Sequence, residues 1–134
     1  MVINFNPKYI PGDIVYNHKK EIIRITSSYL KGTKLFYYRD GECGWIREDA
    51  IKPIPITPEI LEKNGWKKEM YHDWRHYIPI ERTLLYLSRC VDRDRDGAFE
   101  VCVGLDMSHI AYISFVHQLQ HLFFSLNINH EMEV

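Results

Sequence analysis

Between Pro11 and Ile56, short runs of alternating apolar and polar residues follow one another, and turn chemistry cuts each run off. Runs this short cannot bury a helical face, whereas a strand needs only a period of two, so the spacing points to hairpins of a small antiparallel sheet. The first run is Asp13 to Asn17. After Asn17-His18-Lys19-Lys20 comes Glu21 to Ser27, with Ile23 and Ile25 on one face and Ile22 and Arg24 on the other. Lys31-Gly32 precedes the run Thr33 to Arg39, and Asp40-Gly41 supplies two residues that tolerate positive φ before Gly44 to Arg47 returns. Ile51 to Ile56 completes the set as an edge strand, because Pro53 and Pro55 cannot donate to a ladder. Five short strands predict a small SH3-like β-barrel over residues 1–56.

The remainder, residues 57–134, mixes helix and strand signals, so the expected fold class is α+β. Thr57-Pro58-Glu59 combines a capping hydroxyl, a proline where its missing N–H costs nothing, and an acid at the positive helix end. Gly65 after Asn64 is the matching stop. A strand is expected at about Glu69 to Arg75. Thr83 to Val91 and Phe99 to Leu105 form a hairpin through the acidic turn Asp92 to Gly97, and His109 to Ile113 adds a last short strand. Ser114 should cap an amphipathic helix to Leu126, whose apolar face carries Phe115, Val116, Leu119, Leu122 and Phe123. The tail from Asn127 is expected to fray. The two lobes could also share one continuous core.

Composition narrows the function classes. The 134 residues carry 17 basic and 18 acidic side chains, a balance of −1 that gives little overall field for nucleic acid and little repulsion against self-association. Cys43, Cys90 and Cys102 are widely spaced and form no C-x-x-C pair, which speaks for free thiols in a reducing compartment. No charged-then-apolar leader and no apolar run near ~18 residues is present, so the expected location is the cytoplasm, without membrane contact.

Catalytic motifs are not apparent. His117 and His121 stand at the spacing used by zinc proteases, but Gln118 occupies the place of the glutamate that would activate water. Asp92, Asp94, Asp96 and Gly97 resemble the opening of a calcium loop, yet Val103 stands at the twelfth position, where a bidentate Glu is required. No phosphate-binding Gly loop or nucleophile elbow occurs. The chain therefore reads as non-enzymatic, with no catalytic residue, metal or cofactor assigned. A metal-dependent hydrolase built from His72, His76, His117 or His121 with Asp73 or Asp106 is kept as an alternative.

Binding has better material. Nine Tyr and three Trp are many for this length, and such rings join a broad apolar body to a polar tip. Trp66, Lys67, Tyr71, Trp74, Arg75 and Tyr77 interleave aromatic and basic residues, so they could stack a nucleotide ring while Lys67 and Arg75 hold phosphate. His117 and Gln120 are added as directional hydrogen-bonding groups. A second possibility is nucleic-acid binding through the barrel, with Lys31, Lys34, Arg39 and Arg47 as its cations and Tyr37, Tyr38 and Trp45 as rings.

Two stretches carry a family resemblance. The segment from Ile54 to Trp66 (IPITPEILEKNGW) resembles a "PIPLTPEILEKNGF" signature, and Tyr112 to Leu126 is similar to a closing "YVHQLQNLYFAL" helix. Both mark small phage and mobile-element proteins of gut Bacteroidota. The resemblance implies an accessory binding protein, with counter-defence as a possible role. Its partner would be a host protein or a nucleotide-like signal, and its form a homo-oligomer.

Overall fold

A computed structural model of the chain describes residues 8–41, 44–90 and 97–134. The acidic turn from Asp92, Cys43, and the side chains of His72 and Asp73 lie outside the described residues. The chain divides into two compact units, Met1–Ile54 and Pro55–Val134.

The first unit holds one antiparallel sheet in the order β1 (Ile14–Tyr16), β2 (Ile22–Lys31), β3 (Lys34–Arg39) and β4 (Trp45–Arg47). Strand β2 outruns its expected end at Ser27. Its first residues pair with β1, and after a register shift between Ile25 and Ser27 it pairs with β3 as far as Lys31. The extra residue, Thr26, is a bulge, which bends a strand and lets one strand serve two ladders. The result is a curled, barrel-like sheet around Tyr9, Val15, Ile23, Ile25, Tyr37 and Ile51. Ile23 and Ile25 face this core as the alternation requires, while Ile22 is exposed.

The fifth strand expected over Ile51 to Ile56 is corrected by the structure. Lys52 exchanges both backbone hydrogen bonds with Tyr16, at 2.9 Å each, but the pairing stays a single bridge. Pro53 has no N–H with which to extend it.

Inside this unit Tyr37 is a polar anchor. Its hydroxyl donates to the Glu48 carboxylate on the 3-10 turn Glu48–Ala50 and accepts from the Tyr9 backbone N–H at 3.4 Å. The Tyr9 ring meets it edge-on at 5.5 Å. Burial, then the nearby Glu48 and Asp13 charges, push the Tyr9 phenol up to about 12. Burial and the Glu48 hydrogen bond raise Tyr37 further.

The second unit holds a five-stranded meander: β5 (Lys67–Glu69), β6 (His72–Ile80), β7 (Thr83–Arg89), β8 (Phe99–Val103) and β9 (Ser108–Ile113). The expected strand at Glu69 to Arg75 is in fact a hairpin, turning at Met70 and Tyr71. Polar strands are hard to delimit because both faces look alike in sequence.

Before the sheet comes α1 (Pro58–Lys63), capped as expected by Thr57, whose hydroxyl accepts from the Ile60 N–H at 3.2 Å. It ends in a Schellman arrangement, with Trp66 N–H bonded to Leu61 O and Gly65 N–H to Glu62 O; Gly65 takes φ +89, which a glycine adopts without Cβ strain. After the sheet comes α2 (Val116–Ser125). Ser114 is not its cap. Phe115 holds that position, and the Gln118 side chain reaches back to accept from the Ser114 and Phe115 N–H groups at 2.7 and 3.1 Å.

The expected fraying of the tail is also corrected. Met132 is buried, and the Asn64 side chain donates to Glu133 O and accepts from Glu133 N–H, both at 2.7 Å. One carboxamide thus pairs with the tail as a neighbouring strand's peptide would.

Candidate functional site

Register divides the five-stranded sheet into two unlike faces. Residues directly opposite one another on paired strands share a side. His76, Leu87, Val101 and Ala111 make one such row, and Ile78, Leu85 and Val103 another. This is the core side: Phe123 of α2 and Leu126, the residue that ends that helix, line a groove of about 580 Å³ together with Ile78, Leu85, Val103 and His130.

The opposite face carries the row Lys67, Tyr77, Tyr86, Cys102 and His109, and beside it Arg75, Ser88, Glu100 and Tyr112. On that face Tyr112 and His109 are well exposed, while Cys102 is buried among its neighbours. Arg75 donates from Nε to Ser88 Oγ at 3.1 Å and pairs through Nη1 with Glu69 at 3.3 Å. Glu100 is the hub of the other half. It accepts from Cys102 Sγ at 3.0 Å and Tyr112 OH at 3.2 Å, and His109 Nδ1 lies 3.5 Å away. Those hydrogen bonds, led by that of Cys102, hold the Glu100 carboxyl below its usual range.

Cysteine, histidine and glutamate side by side invite a nucleophilic reading, and the geometry denies it. The thiol donates to the carboxylate rather than to an imidazole. Burial, then the Glu100 hydrogen bond and charge, push Cys102 up to about 11. A nucleophilic cysteine needs the reverse, a depressed pKa in an electropositive setting. This cluster is a hydrogen-bonded surface.

The residues expected to bind fall into three groups. Lys67, Arg75 and Tyr77 come together on this face. Tyr71 and Trp74 are exposed at the β5–β6 turn and the start of β6, with Tyr71 at 84%. Trp66 is corrected: it is 2% exposed and stacks on Phe123 at 6.3 Å, so it fills the interior. His117 is corrected likewise, being buried on α2 between the rings of Phe115 and His121; Gln120 on the same helix is half-buried. Tyr86, Ser88, Glu100, Cys102, His109 and Tyr112 were not singled out from sequence. For Tyr86, Ser88, Glu100 and Cys102 the signal was there, since they alternate with Leu85, Leu87 and Val101; His109 and Tyr112 share this face only through the register shift at Ile110, which alternation does not reveal.

Of the alternative metal centre, the side chains of His72 and Asp73 lie outside the described residues. Among the described residues no three His, Cys, Asp or Glu side chains gather as a metal site. His76 is buried with Glu62 3.5 Å from its Nε2.

The first unit offers a second candidate surface. Register puts Tyr29, Phe36 and Arg47 in one row, Ser27, Tyr38 and Trp45 in the next, and Lys31 opposite Lys34. All lie on the side away from Tyr37 and Ile46. Of the expected cations, Lys31, Lys34 and Arg47 belong to this face, whereas Arg39 stands at the far end of β3, opposite Ile25. Lys34 and Arg47 also edge a hollow of about 440 Å³, which Lys8 and Lys52 border as well and Leu35 and Ile51 help to line.

No family model, curated protein or solved structure matches the chain. The sites therefore rest on their own chemistry. Among the described residues no helix is long and apolar enough to cross a membrane.

Proposed function

We propose that this is a non-catalytic binding protein of the phage or mobile-element accessory type, acting in the cytoplasm of a bacterial host. Its outer C-terminal sheet face would engage a host protein, with counter-defence as the biological setting. The observation that carries this reading is the gathering of Lys67, Arg75 and Tyr77 with Tyr86, His109 and Tyr112 on one sheet face, where His109 and Tyr112 are exposed. Tyrosine and arginine are the side chains that dominate protein interfaces. Charge favours a protein over a nucleotide-like signal, because Arg75 is already engaged by Glu69 and Ser88, and Glu100 faces the same way. A phosphate would meet Lys67 and a carboxylate together.

The curled first unit is read as an SH3-like barrel, a scaffold for a surface of its own. The test is a photo-crosslinking residue at Tyr112, compared with one at exposed Glu59 on α1, in Bacteroidota host cells. A defined adduct with one host protein from position 112 only, lost in Tyr86→Ala, supports the reading. Adducts only with a second copy would make the face an oligomer contact and overturn it. Calorimetric binding of a nucleotide, abolished by Tyr77→Ala, would overturn it in favour of the small-ligand reading.

A further inference from the structure

Formal charge is divided unevenly along the chain. Residues 1–54 hold nine Lys or Arg and six Asp or Glu, a balance of +3; residues 55–134 hold eight and twelve, a balance of −4. The overall −1 conceals a basic half and an acidic half, and such asymmetry is a pointer to nucleic acid.

The basic charges of the first unit lie beside rings. On its outer sheet face Tyr29 and Trp45 are exposed at 44% and 47%. Phe36 lies between them, 6.4 Å from Tyr29 and 4.2 Å from Trp45, and is buried. Three contiguous rings thus lie on this sheet face, those of Tyr29 and Trp45 open to solvent and that of Phe36 buried between them. Arg47 stands directly opposite Phe36, and the Lys31–Lys34 pair closes the same face at the hairpin end.

From that platform the hollow continues the positive field. Lys34 and Arg47 belong to both, and Lys8 and Lys52 bring the cations around the hollow to four, against Glu48 and Asp49. Both acids are already engaged: Glu48 accepts from Tyr37, and Asp49 pairs with Arg47 at 2.5 Å. Lys34 and Lys52 are both exposed, and among the described residues neither is ion-paired.

We infer that this face and hollow form a binding surface for single-stranded nucleic acid. Unpaired bases stack on Trp45 and Tyr29, because every base presents a π-face and stacking needs no sequence. The backbone phosphates run past Lys34 into the hollow, where Lys8 and Lys52 meet them. A duplex keeps its bases stacked on each other and offers the rings nothing. The surface uses residues of the first unit alone, so it stands or falls separately from the protein partner proposed for the second.

The test uses the full chain with a fluorescently labelled oligothymidylate and an oligouridylate, read by anisotropy and by quenching of tryptophan emission. Three phosphate contacts, from Lys8, Lys34 and Lys52, on a single strand give a log–log salt slope of about −2.1, so affinity should fall about 20-fold between roughly 50 and 200 mM salt. Trp45→Ala should weaken binding about tenfold with an unchanged slope, since it removes stacking and no charge. Lys34→Glu with Lys52→Glu should shrink the slope by about 1.4. Both sites are exposed, and far-ultraviolet circular dichroism checks the fold; Tyr29→Ala is the second stacking variant should Trp45→Ala unfold. No binding at low salt overturns the inference. So does duplex binding as tight as single strand, retention of full affinity in both stacking variants, or a self-associated state that Trp45→Ala dissociates.

Discussion

Raising the pH should dismantle the first unit through two tyrosines. Tyr9 and Tyr37 are fully buried in its core, with the Glu48 carboxylate beside both. Phenolate there would lose its hydration and face a carboxylate, so the neutral forms are favoured. The Tyr9 phenol is raised from 10.0 to about 12 in the folded chain. The sign follows from linkage: a group whose folded pKa lies above its unfolded value stabilises fully below the unfolded pKa, and that contribution disappears as pH climbs through the folded one. Two pKa units correspond to about 2.7 kcal/mol, so by about pH 12 Tyr9 alone should remove roughly 2 kcal/mol of stability. Tyr37, shifted further, removes at least as much. Against a typical total of about 5–15 kcal/mol this is enough to open the unit. The assay is an alkaline titration that follows tyrosinate absorbance and circular dichroism together, on the parent and on Tyr9→Phe. In the parent, the last tyrosinate signal should rise with loss of the sheet signal. In Tyr9→Phe the alkaline loss of stability, measured in urea, should shrink by about 2 kcal/mol. Full ionisation of all nine tyrosines with the sheet signal intact would refute the reasoning, as would identical alkaline profiles for the two proteins.

Three further outcomes are expected. Trp66→Ala should cost about 3–5 kcal/mol in denaturant unfolding, because it empties a buried site against Phe123; an unchanged midpoint would return Trp66 to the surface. Asn64→Ala should cost about 3 kcal/mol, the sum of three side-chain hydrogen bonds worth about 1 kcal/mol each, and should accelerate exchange of the Glu133 amide, which donates to the Asn64 carbonyl oxygen. Cys102 should alkylate more slowly than Cys90 at mildly alkaline pH, as followed by peptide mass spectrometry. Glu100→Gln should speed it, and a Cys102 that reacts first would contradict its raised pKa.

The parts of the fold legible in the sequence are those where one local pattern decides. Thr57-Pro58 and Asn64-Gly65 bracket α1 because capping chemistry acts within one turn. Ile23 and Ile25 declare their face because alternation is a two-residue property. What stayed hidden depends on partners distant in sequence. Asn64 ties down Glu133 across 69 positions, so no local signal distinguishes that tail from a frayed one. Trp66 sits just past the helix stop among charged residues, and its burial depends on Phe123, far along the chain. The candidate binding residues were half legible for the same reason. The β5–β6 run is conspicuous in composition, but Glu100 and Tyr112 join it only through register across three strands.

Thr26 gives the first unit its two characters. Side chains alternate strictly along a strand, so with Ile23 and Ile25 inward, an unbroken β2 would turn Tyr29 and Lys31 inward as well. The single extra residue reverses the parity, handing Ser28 and Leu30 to the side of Tyr37 and Leu35, and Tyr29 to the side of Phe36. Excising Thr26 would therefore swap the two faces of the hairpin's outer half without altering any other letter of the chain.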